Sequence, residues 1–181
     1  SNSNLVGVGV VFEPNAFDGN DAAHTSDPLS DSTGRMISYV SREGSSVEFE
    51  PSTGYETADW YTEPKRTSKL TLTNPYYEEV GGKKTLVVSL AIPLIVDGHF
   101  VGAISLDFDM EQIQKDFEKA STPDNIYLMI DHAGRLVAHG TSPDSIMKDA
   151  FQLMGSTEQD KKDIFTDGPY SLTKVSPTTG K

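Results

Sequence analysis

Residues 70–108 read LTLTNPYYEEVGGKKTLVVSLAIPLIVDGHFVGAISLDF, and this stretch decides the fold. It contains three apolar segments with two short polar pairs between them: residues 70–80, Gly81-Gly82, residues 83–96, Asp97-Gly98 and residues 99–108. Gly-Gly and Asp-Gly pairs favour two-residue hairpin turns, because these turns need positive φ angles at their central positions. The stretch therefore predicts three consecutive antiparallel strands joined by two tight turns.

The segments before this stretch supply further strands and a connecting helix. Residues 5–12 are β-branched and apolar, which is typical of a short buried strand. Residues 35–49 predict a second strand or a hairpin that breaks near Glu43. Residues 54–65 predict a short helix that ends before Pro64, because the residue before a proline disfavours helical backbone.

The chain after the third strand predicts a helix and then a new start of the same pattern. Asp109 and Gln112 resemble a capping box, in which two side chains satisfy the free N–H groups at the beginning of a helix. Further on, a hairpin is predicted over residues 126–139 and a helix over residues 142–154.

The order of these elements indicates an α+β fold. Two strands, a helical connection and a three-stranded meander are the layout of a PAS-like module, a five-stranded antiparallel sheet with flanking helices. We expect such a module over residues 1–122 and the beginning of a second, smaller PAS-like module over residues 123–181. The second stretch is too short to complete a module.

The composition excludes several classes of function. The chain has 15 basic and 27 acidic residues and a formal charge of −12, and a surface this acidic repels nucleic-acid phosphates. It has no cysteine, which excludes disulfides and thiolate-held metals. Its longest apolar run, residues 86–96, is shorter than the roughly 20 residues that span a bilayer. We expect no nucleic-acid partner, no metal, no cofactor, and membrane attachment only through segments outside this chain.

An aromatic and acidic set of side chains is the best candidate for a binding site. Its members are Tyr55, Trp60 and Tyr61 in one short segment, Tyr76 at the start of the meander, and Asp107 at its end. Rings around a carboxylate suit an ammonium group, which gains cation–π attraction and charge-assisted hydrogen bonds. The alternative is that the rings only fill the gap between helix and sheet, while Asp107 starts the cap of the following helix.

Several short motifs follow one another in a specific order along the chain. They are Asp59-Trp60-Tyr61, Pro75-Tyr76-Tyr77-Glu78, Ile92-Pro93-Leu94, Asp97-Gly98-His99-Phe100-Val101-Gly102, Leu106-Asp107, and residues 12–19 with Gly34-Arg35. Their order resembles the double Cache family, which comprises extracytoplasmic sensor domains of bacterial chemoreceptors, histidine kinases and cyclic-dinucleotide signalling proteins. Residues 5–117 resemble the membrane-distal module of that family, and residues 126–139 resemble the opening of its membrane-proximal module.

The resemblance implies a ligand pocket in the distal module. The ligand-binding residues that we predict there are Trp60, Tyr61, Tyr76, Asp107, Tyr55 and Lys65. The first three match positions that shape the pocket in the family. Asp107 matches the acid that binds the ligand amine in amino-acid-binding members.

One position departs from those amino-acid-binding members. They carry an arginine two residues before the tryptophan to bind the ligand carboxylate, and this chain has Ala58 there. Without a guanidinium an α-amino acid loses a strong charge-assisted contact. Lys65 or Arg35 is a candidate substitute, although neither lies at the matching position.

The resemblance implies a non-catalytic function. We expect an extracytoplasmic sensor domain of a bacterial membrane receptor that binds a small amine, an amino-acid-like molecule or another polar metabolite. The resemblance also implies a homodimer in the intact receptor, supported by a long N-terminal helix that this sequence does not include. Two alternatives stay open: an intracellular PAS-type domain that binds haem or flavin, and a small hydrolase that uses Asp107 with a histidine.

Overall fold

The chain is divided into two compact units. The computed structural model describes residues 4–43, 46–131, 133–157 and 162. The division lies after Asp109. Among the described residues, no helix is long and apolar enough to cross a membrane.

The first unit is built on one antiparallel sheet. Its strands are β1 (Leu5–Phe12), β2 (Ile37–Glu43), β3 (Ser46–Pro51), β4 (Thr71–Leu72), β5 (Tyr76–Val80), β6 (Lys83–Val96) and β7 (His99–Asp109). They are ordered β3-β2-β1-β7-β6-β4, and β5 also pairs with β6. The predicted α+β fold with an antiparallel sheet is confirmed, and so are the meander turns and the strand over residues 5–12. The sheet has seven strands in the described part of the chain, not the five we predicted.

The two additional strands come from two predicted segments, residues 35–49 and residues 70–80. The predicted segment over residues 35–49 contains β2 and most of β3, which pair antiparallel, and a hairpin was one of the two predicted outcomes. The predicted strand over residues 70–80 is divided into β4 and β5, which is a correction. Pro75 has no N–H group for a ladder hydrogen bond, so the chain leaves the sheet between Leu72 and Tyr76.

The connection between β3 and β4 is helical. A 3₁₀ helix, Tyr55–Thr57, is followed by α1 (Asp59–Thr67), and α1 continues through Pro64. The predicted end before Pro64 is therefore wrong. The proline removes only one backbone hydrogen bond from the helix, and its ring is fully buried, so burial offsets the loss.

The core of the first unit lies between α1 and one face of the sheet. Every second residue of β1, β6 and β7 faces α1, and Val11, Ala91 and Ala103 on these strands have no exposed surface. Trp60 and Tyr61 of α1 pack on them. Each large apolar side chain buried in this way stabilises the fold by roughly 1.5–3 kcal/mol. The same face of the sheet continues into the candidate site.

The second unit is small in its described part. It contains α2 (Glu111–Ala120), β8 (Leu128–Ile130), β9 (Leu136–His139), a 3₁₀ helix (Pro143–Ser145) and α3 (Ala150–Met154). The predicted hairpin is confirmed, because β8 and β9 pair antiparallel. Gln114 connects α2 to this hairpin: its Nε2 donates to the His139 carbonyl at 3.0 Å, and its Oε1 accepts from the His139 N–H at 2.9 Å.

Two predictions for the second unit are wrong. The N-cap of α2 is Met110, without a side-chain cap hydrogen bond, because Asp109 is still part of β7. The predicted helix over residues 142–154 is interrupted, because Leu136 exchanges backbone hydrogen bonds with Met147 and Lys148. The expected module boundary near residue 122 stays a prediction, and most of residues 158–181 lie outside the described part.

Candidate functional site

A cavity of about 570 Å³ opens on the α1 side of the sheet in the first unit. Trp60 of α1, Tyr76 of β5 and Asp107 of β7 line it, so the structure brings these three predicted residues together. Its other lining residues come mainly from the hairpin β2–β3 and from β5. They include Tyr39, Ser41, Glu48, Glu50, Glu78 and Glu79.

The register of the strands explains why these residues share one surface. Cross-strand neighbours point to the same face of a sheet. One row of such neighbours runs from β6 to β3 through Ser89, Asp107, Gly7, Ser41 and Glu48. The adjacent row on the same face runs through Ser105, Gly9, Tyr39 and Glu50. The two rows place polar side chains along one wall of the cavity.

Asp107 is the centre of a buried hydrogen-bond network. Asp107 is only 2% exposed. The Ser89 hydroxyl donates to one carboxylate oxygen at 2.6 Å, and the Tyr39 hydroxyl donates to the other at 2.8 Å. The Tyr76 hydroxyl is 2.7 Å from Ser89 Oγ, and it donates there because the Ser89 proton points to Asp107. The carboxylate is thus oriented by hydroxyl groups alone.

The electrostatics of the cavity disfavour further negative charge. Burial raises the pKa of Asp107, although the hydrogen bonds from Ser89 and Tyr39 act in the opposite direction. Burial also raises the pKa of Glu78, and the negative charges of Asp107 and Glu50 add to this effect. No lysine, arginine or histidine is among the described residues that line the cavity. A positively charged ligand would relieve this repulsion.

Tyr39 is a site residue that the sequence did not reveal. Its ring lies over Gly7, since a Cβ atom at that glycine would be 1.9 Å from the Tyr39 hydroxyl oxygen and 2.5 Å from Cζ. Only a strand residue without a side chain lets the ring cross β1 and reach Asp107. Gly7 and Gly9 are alternate residues of an otherwise apolar strand, and glycine at such positions indicates that another group packs closely against the backbone of the strand.

The other predicted residues form a separate cluster around Arg35. The Arg35 guanidinium donates to the Tyr55 hydroxyl at 3.1 Å, to the Tyr61 hydroxyl and to the Phe12 carbonyl. Glu13 accepts hydrogen bonds from Lys65, at 2.7 Å, and from Tyr61. None of these residues lines the cavity next to Asp107. A ligand contact by Tyr55, Tyr61 or Lys65 stays a prediction, and the contacts seen here are structural.

This cluster predicts an acid-dependent loss of stability. Burial alone raises the pKa of Glu13, but hydrogen bonds from Lys65 and Tyr61 and the charge of Arg35 outweigh it, so the pKa is lowered overall. A carboxyl with a lowered pKa contributes stability above its unfolded pKa and loses it as the pH falls through the folded pKa. We expect Glu13→Gln to lower the unfolding free energy at pH 7 by about 1 kcal/mol, since solvent screens half-exposed ion pairs.

Urea unfolding of both proteins at neutral and at acidic pH measures this effect. The difference between wild type and Glu13→Gln should shrink as the pH is lowered below the usual range of a glutamate. A difference that stays constant down to acidic pH would show that packing, and not the charge of Glu13, determines the effect.

Comparison with known proteins gives the family. Residues 1–115 match the profile described as methyl-accepting chemotaxis protein-like, first PDC sensor domain. Over 129 residues the chain is 33% identical to the methyl-accepting chemotaxis protein TlpQ of Pseudomonas aeruginosa, covering 63% of this chain and 18% of TlpQ. Much of that relative therefore has no counterpart in this chain.

Solved structures share the fold. The extracellular domain of mmHK1S-Z3, a protein named as a histidine kinase, matches with a TM-score of 0.78 and 33% identity over 90% of this chain and 60% of its own. The ligand-binding domain of Mlp24, solved with asparagine, matches with a TM-score of 0.53 and 18% identity over 85% of this chain and 54% of its own. At that identity the second likeness concerns the fold alone.

The relatives agree with the expected location. The matched part of mmHK1S-Z3 is an extracellular domain. The family match covers the part of the chain that carries the sheet and the cavity. The chain therefore belongs to the family of methyl-accepting chemotaxis protein-like first PDC sensor domains, which are Cache-type sensors, as the sequence motifs predicted.

Proposed function

We propose that this chain is the ligand-binding part of the extracytoplasmic sensor of a bacterial membrane receptor, and that its cavity binds a small organic amine without catalysis. One observation carries the proposal. Asp107 is a buried carboxylate beside aromatic rings, in a cavity whose described lining includes several carboxylates and no cationic side chain. Family membership supports the sensor function, and the cavity supports the class of ligand.

The chemistry of the cavity favours an ammonium group. The two carboxylate oxygens of Asp107 offer about four acceptor positions, and the hydroxyls of Tyr39, Ser89 and Ser105 use three of them, so acceptor capacity remains for a ligand. Trp60, Tyr39 and Tyr76 supply ring faces and edges around it, which suit a cation or an alkyl chain. Buried, charge-assisted hydrogen bonds of this kind are worth about 1.5–3 kcal/mol each.

The same cavity disfavours a ligand carboxylate. Amino-acid-binding members of the double Cache family carry an arginine at the position where this chain has Ala58. Arg35 is not a replacement, because its guanidinium is hydrogen-bonded to Tyr55, Tyr61 and the Phe12 carbonyl. A carboxylate would therefore face Glu50 and Glu78 without a cationic partner. This supports an amine over an α-amino acid.

The two alternative functions have less support. A hydrolase that uses Asp107 would need a histidine beside it, and the groups hydrogen-bonded to Asp107 are instead the hydroxyls of Tyr39, Ser89 and Ser105, which orient it. Haem carries two propionates and flavin nucleotides carry phosphates, and the described lining of the cavity, which is rich in glutamates, would repel these anionic groups. We infer that the site binds its ligand and releases it unchanged.

Ligand binding can be transmitted because the cavity joins separate elements. An amine at Asp107 would contact the sheet, α1 through Trp60 and β5 through Tyr76. It would also remove the repulsion among the carboxylates. A ligand shifts a receptor between two states only by its difference in affinity for them, and closure of these elements around an ammonium group would supply such a difference. We propose a homodimeric receptor, joined to the membrane by segments outside this chain.

A thermal-shift series tests the ligand class. We expect 1-aminopentane to raise the unfolding temperature, and pentanoate and norvaline to have little effect. At a ligand concentration about 100 times Kd the stabilisation is about 2.7 kcal/mol, and roughly 2–4 °C is gained for each kcal/mol in a protein of this size. Stabilisation by pentanoate but not by the amine would contradict the proposal. Calorimetric titration of the amine then gives its Kd.

A further inference from the structure

We propose a second ammonium subsite in the same cavity, formed by Glu48, Glu50 and Ser41 on the hairpin β2–β3, so that the preferred ligand is an alkyl diamine. This inference rests on the proposed function, because it assumes that the first ammonium group binds Asp107. It adds the second cation, the residues that hold it and the length of the ligand.

The geometry separates the two subsites along one row of the sheet. Asp107, Gly7, Ser41 and Glu48 are successive cross-strand neighbours on β7, β1, β2 and β3. Three strand spacings place the Cα atoms of Asp107 and Glu48 about 14 Å apart. Both side chains line the cavity. A ligand that bridges them needs an extended chain between two ammonium groups.

The surface between the two subsites suits an alkyl chain. Gly7 contributes no side chain to the row, and the ring of Tyr39 covers it. An aromatic surface between two acidic ends matches the alkyl segment of a diamine, which buries its methylene groups on the ring.

A buried hydroxyl without a partner points to the second subsite. Ser41 is only 2% exposed, lines the cavity, and its Oγ has no hydrogen-bond partner among the described residues. A buried hydroxyl without a partner costs free energy, so such groups are rare in folded proteins. Glu48 is the cross-strand neighbour of Ser41. An ammonium group placed between them would donate to Ser41 Oγ and to the carboxylate at once, and this would satisfy the hydroxyl.

The charges of the cavity support two cations. Glu48, Glu50, Glu78, Glu79 and Asp107 all line it, and a single ammonium group would neutralise one of these carboxylates. Glu48 and Glu50 lie on β3, whereas Asp107 and its partner Ser89 lie on β7 and β6. A second ammonium group would therefore find its own carboxylates.

Calorimetric titration with 1,5-diaminopentane and 1-aminopentane tests the subsite. These probes have the same chain length and differ by one ammonium group. We expect the wild type to bind the diamine at least about 10-fold more tightly, as one additional charge-assisted hydrogen bond allows. Glu48→Gln and Ser41→Ala should each weaken binding of the diamine more than binding of the monoamine and so reduce this preference. Ser41→Ala should also leave the unfolding temperature unchanged or higher, because it removes an unsatisfied group.

Glu63→Gln is the matched control, because Glu63 pairs with Arg66 on the outside of α1 and does not line the cavity. It should leave both affinities unchanged. Equal affinities for the two probes, or a preference that survives both Glu48→Gln and Glu50→Gln, would overturn the second subsite alone. If neither probe binds the wild type, the proposed function fails together with the subsite.

Discussion

Asp107→Asn is expected to abolish amine binding and to leave the folded protein at least as stable as the wild type. The two effects have one cause, which is the burial of a carboxylate that is only 2% exposed. The buried negative charge of Asp107 destabilises the folded state, and the same charge attracts the ammonium group of the ligand. A residue that only filled the gap between helix and sheet would not show this combination.

The loss of affinity follows from the charge. Removal of one partner of a buried, hydrogen-bonded charge pair typically costs about 2–5 kcal/mol of binding free energy, which is on the order of 100-fold or more in Kd. Asparagine has nearly the shape of aspartate. Its side-chain oxygen can still accept hydrogen bonds from the hydroxyls of Tyr39, Ser89 and Ser105 that face it, and its amide can donate to a hydroxyl oxygen on the other side once that hydroxyl rotates. The network of the free protein is therefore retained while the ligand loses its counter-ion.

The effect on stability depends on pH in a defined direction. Burial raises the pKa of Asp107 in the folded protein above its usual value, in spite of the hydrogen bonds from Ser89 and Tyr39. Well below the usual value both states are protonated, and the group contributes nothing. As the pH rises through the usual value, the unfolded chain ionises first, so the wild type loses stability relative to the asparagine variant. The variant should gain stability over the wild type between acidic and neutral pH.

Calorimetric titration with 1-aminopentane and thermal unfolding at several pH values measure both effects. Asp97→Asn is the matched control, because Asp97 lies in the exposed turn between β6 and β7 and has a positive φ angle that asparagine tolerates. It should change neither affinity nor the pH profile. Unchanged amine affinity in Asp107→Asn would remove Asp107 from the site.

Local signals explain which parts of the fold could be predicted. The turn Asp97-Gly98 is determined by its own backbone angles, and it lies between β6 and β7 as predicted. The same local reasoning predicted that α1 ends before Pro64, whereas α1 continues through this proline. Tertiary burial of its ring in the core outweighs a local preference of a few kcal/mol.

The candidate site was predictable only in part for a related reason. Trp60, Tyr76 and Asp107 could be proposed because they lie on the meander and its preceding helix, where the motifs of the family resemblance are found. Tyr39 and Glu48 reach the cavity through the pairing of β1 with β2 and of β2 with β3. The register of β1 with β2 is set by contacts distant in sequence, such as Gly7 with Ser41, and no local pattern specifies it. The β2–β3 pairing is local, and the sequence predicted it only as one of two outcomes.

The same limit applies to the cluster around Arg35. Tyr55 and Tyr61 are close to Trp60 in sequence, which suggested one shared pocket. Arg35 is the group that separates them, because its guanidinium binds both hydroxyls on the side where Glu13 also lies. A pairing across 20 or more residues between a loop arginine and helix tyrosines leaves no periodic signal in the sequence.

Gly7→Ala is expected to disrupt the site through Tyr39, and a double-mutant cycle can show it. The added Cβ would lie 1.9 Å from the Tyr39 hydroxyl oxygen and 2.5 Å from Cζ, so the ring must leave its place over β1. Overpacking of this kind costs about 1–3 kcal/mol of unfolding free energy. The displaced ring would also lose its hydrogen bond to Asp107, and we expect amine affinity to fall by about 10-fold.

The partner variant is Tyr39→Leu, which removes the hydroxyl oxygen and the two ring carbons, Cζ and Cε2, that the new Cβ would meet. In the Tyr39→Leu background Gly7→Ala should lower the unfolding free energy by less than about 0.5 kcal/mol, because alanine in a strand is itself no more destabilising than glycine. Urea unfolding of the four proteins gives the coupling free energy between the two positions, which we expect to be about 1–3 kcal/mol. Additive effects would mean that the ring and the glycine do not constrain each other. A large coupling would show that Gly7 is a glycine because the ring of Tyr39 must cross β1 to reach Asp107.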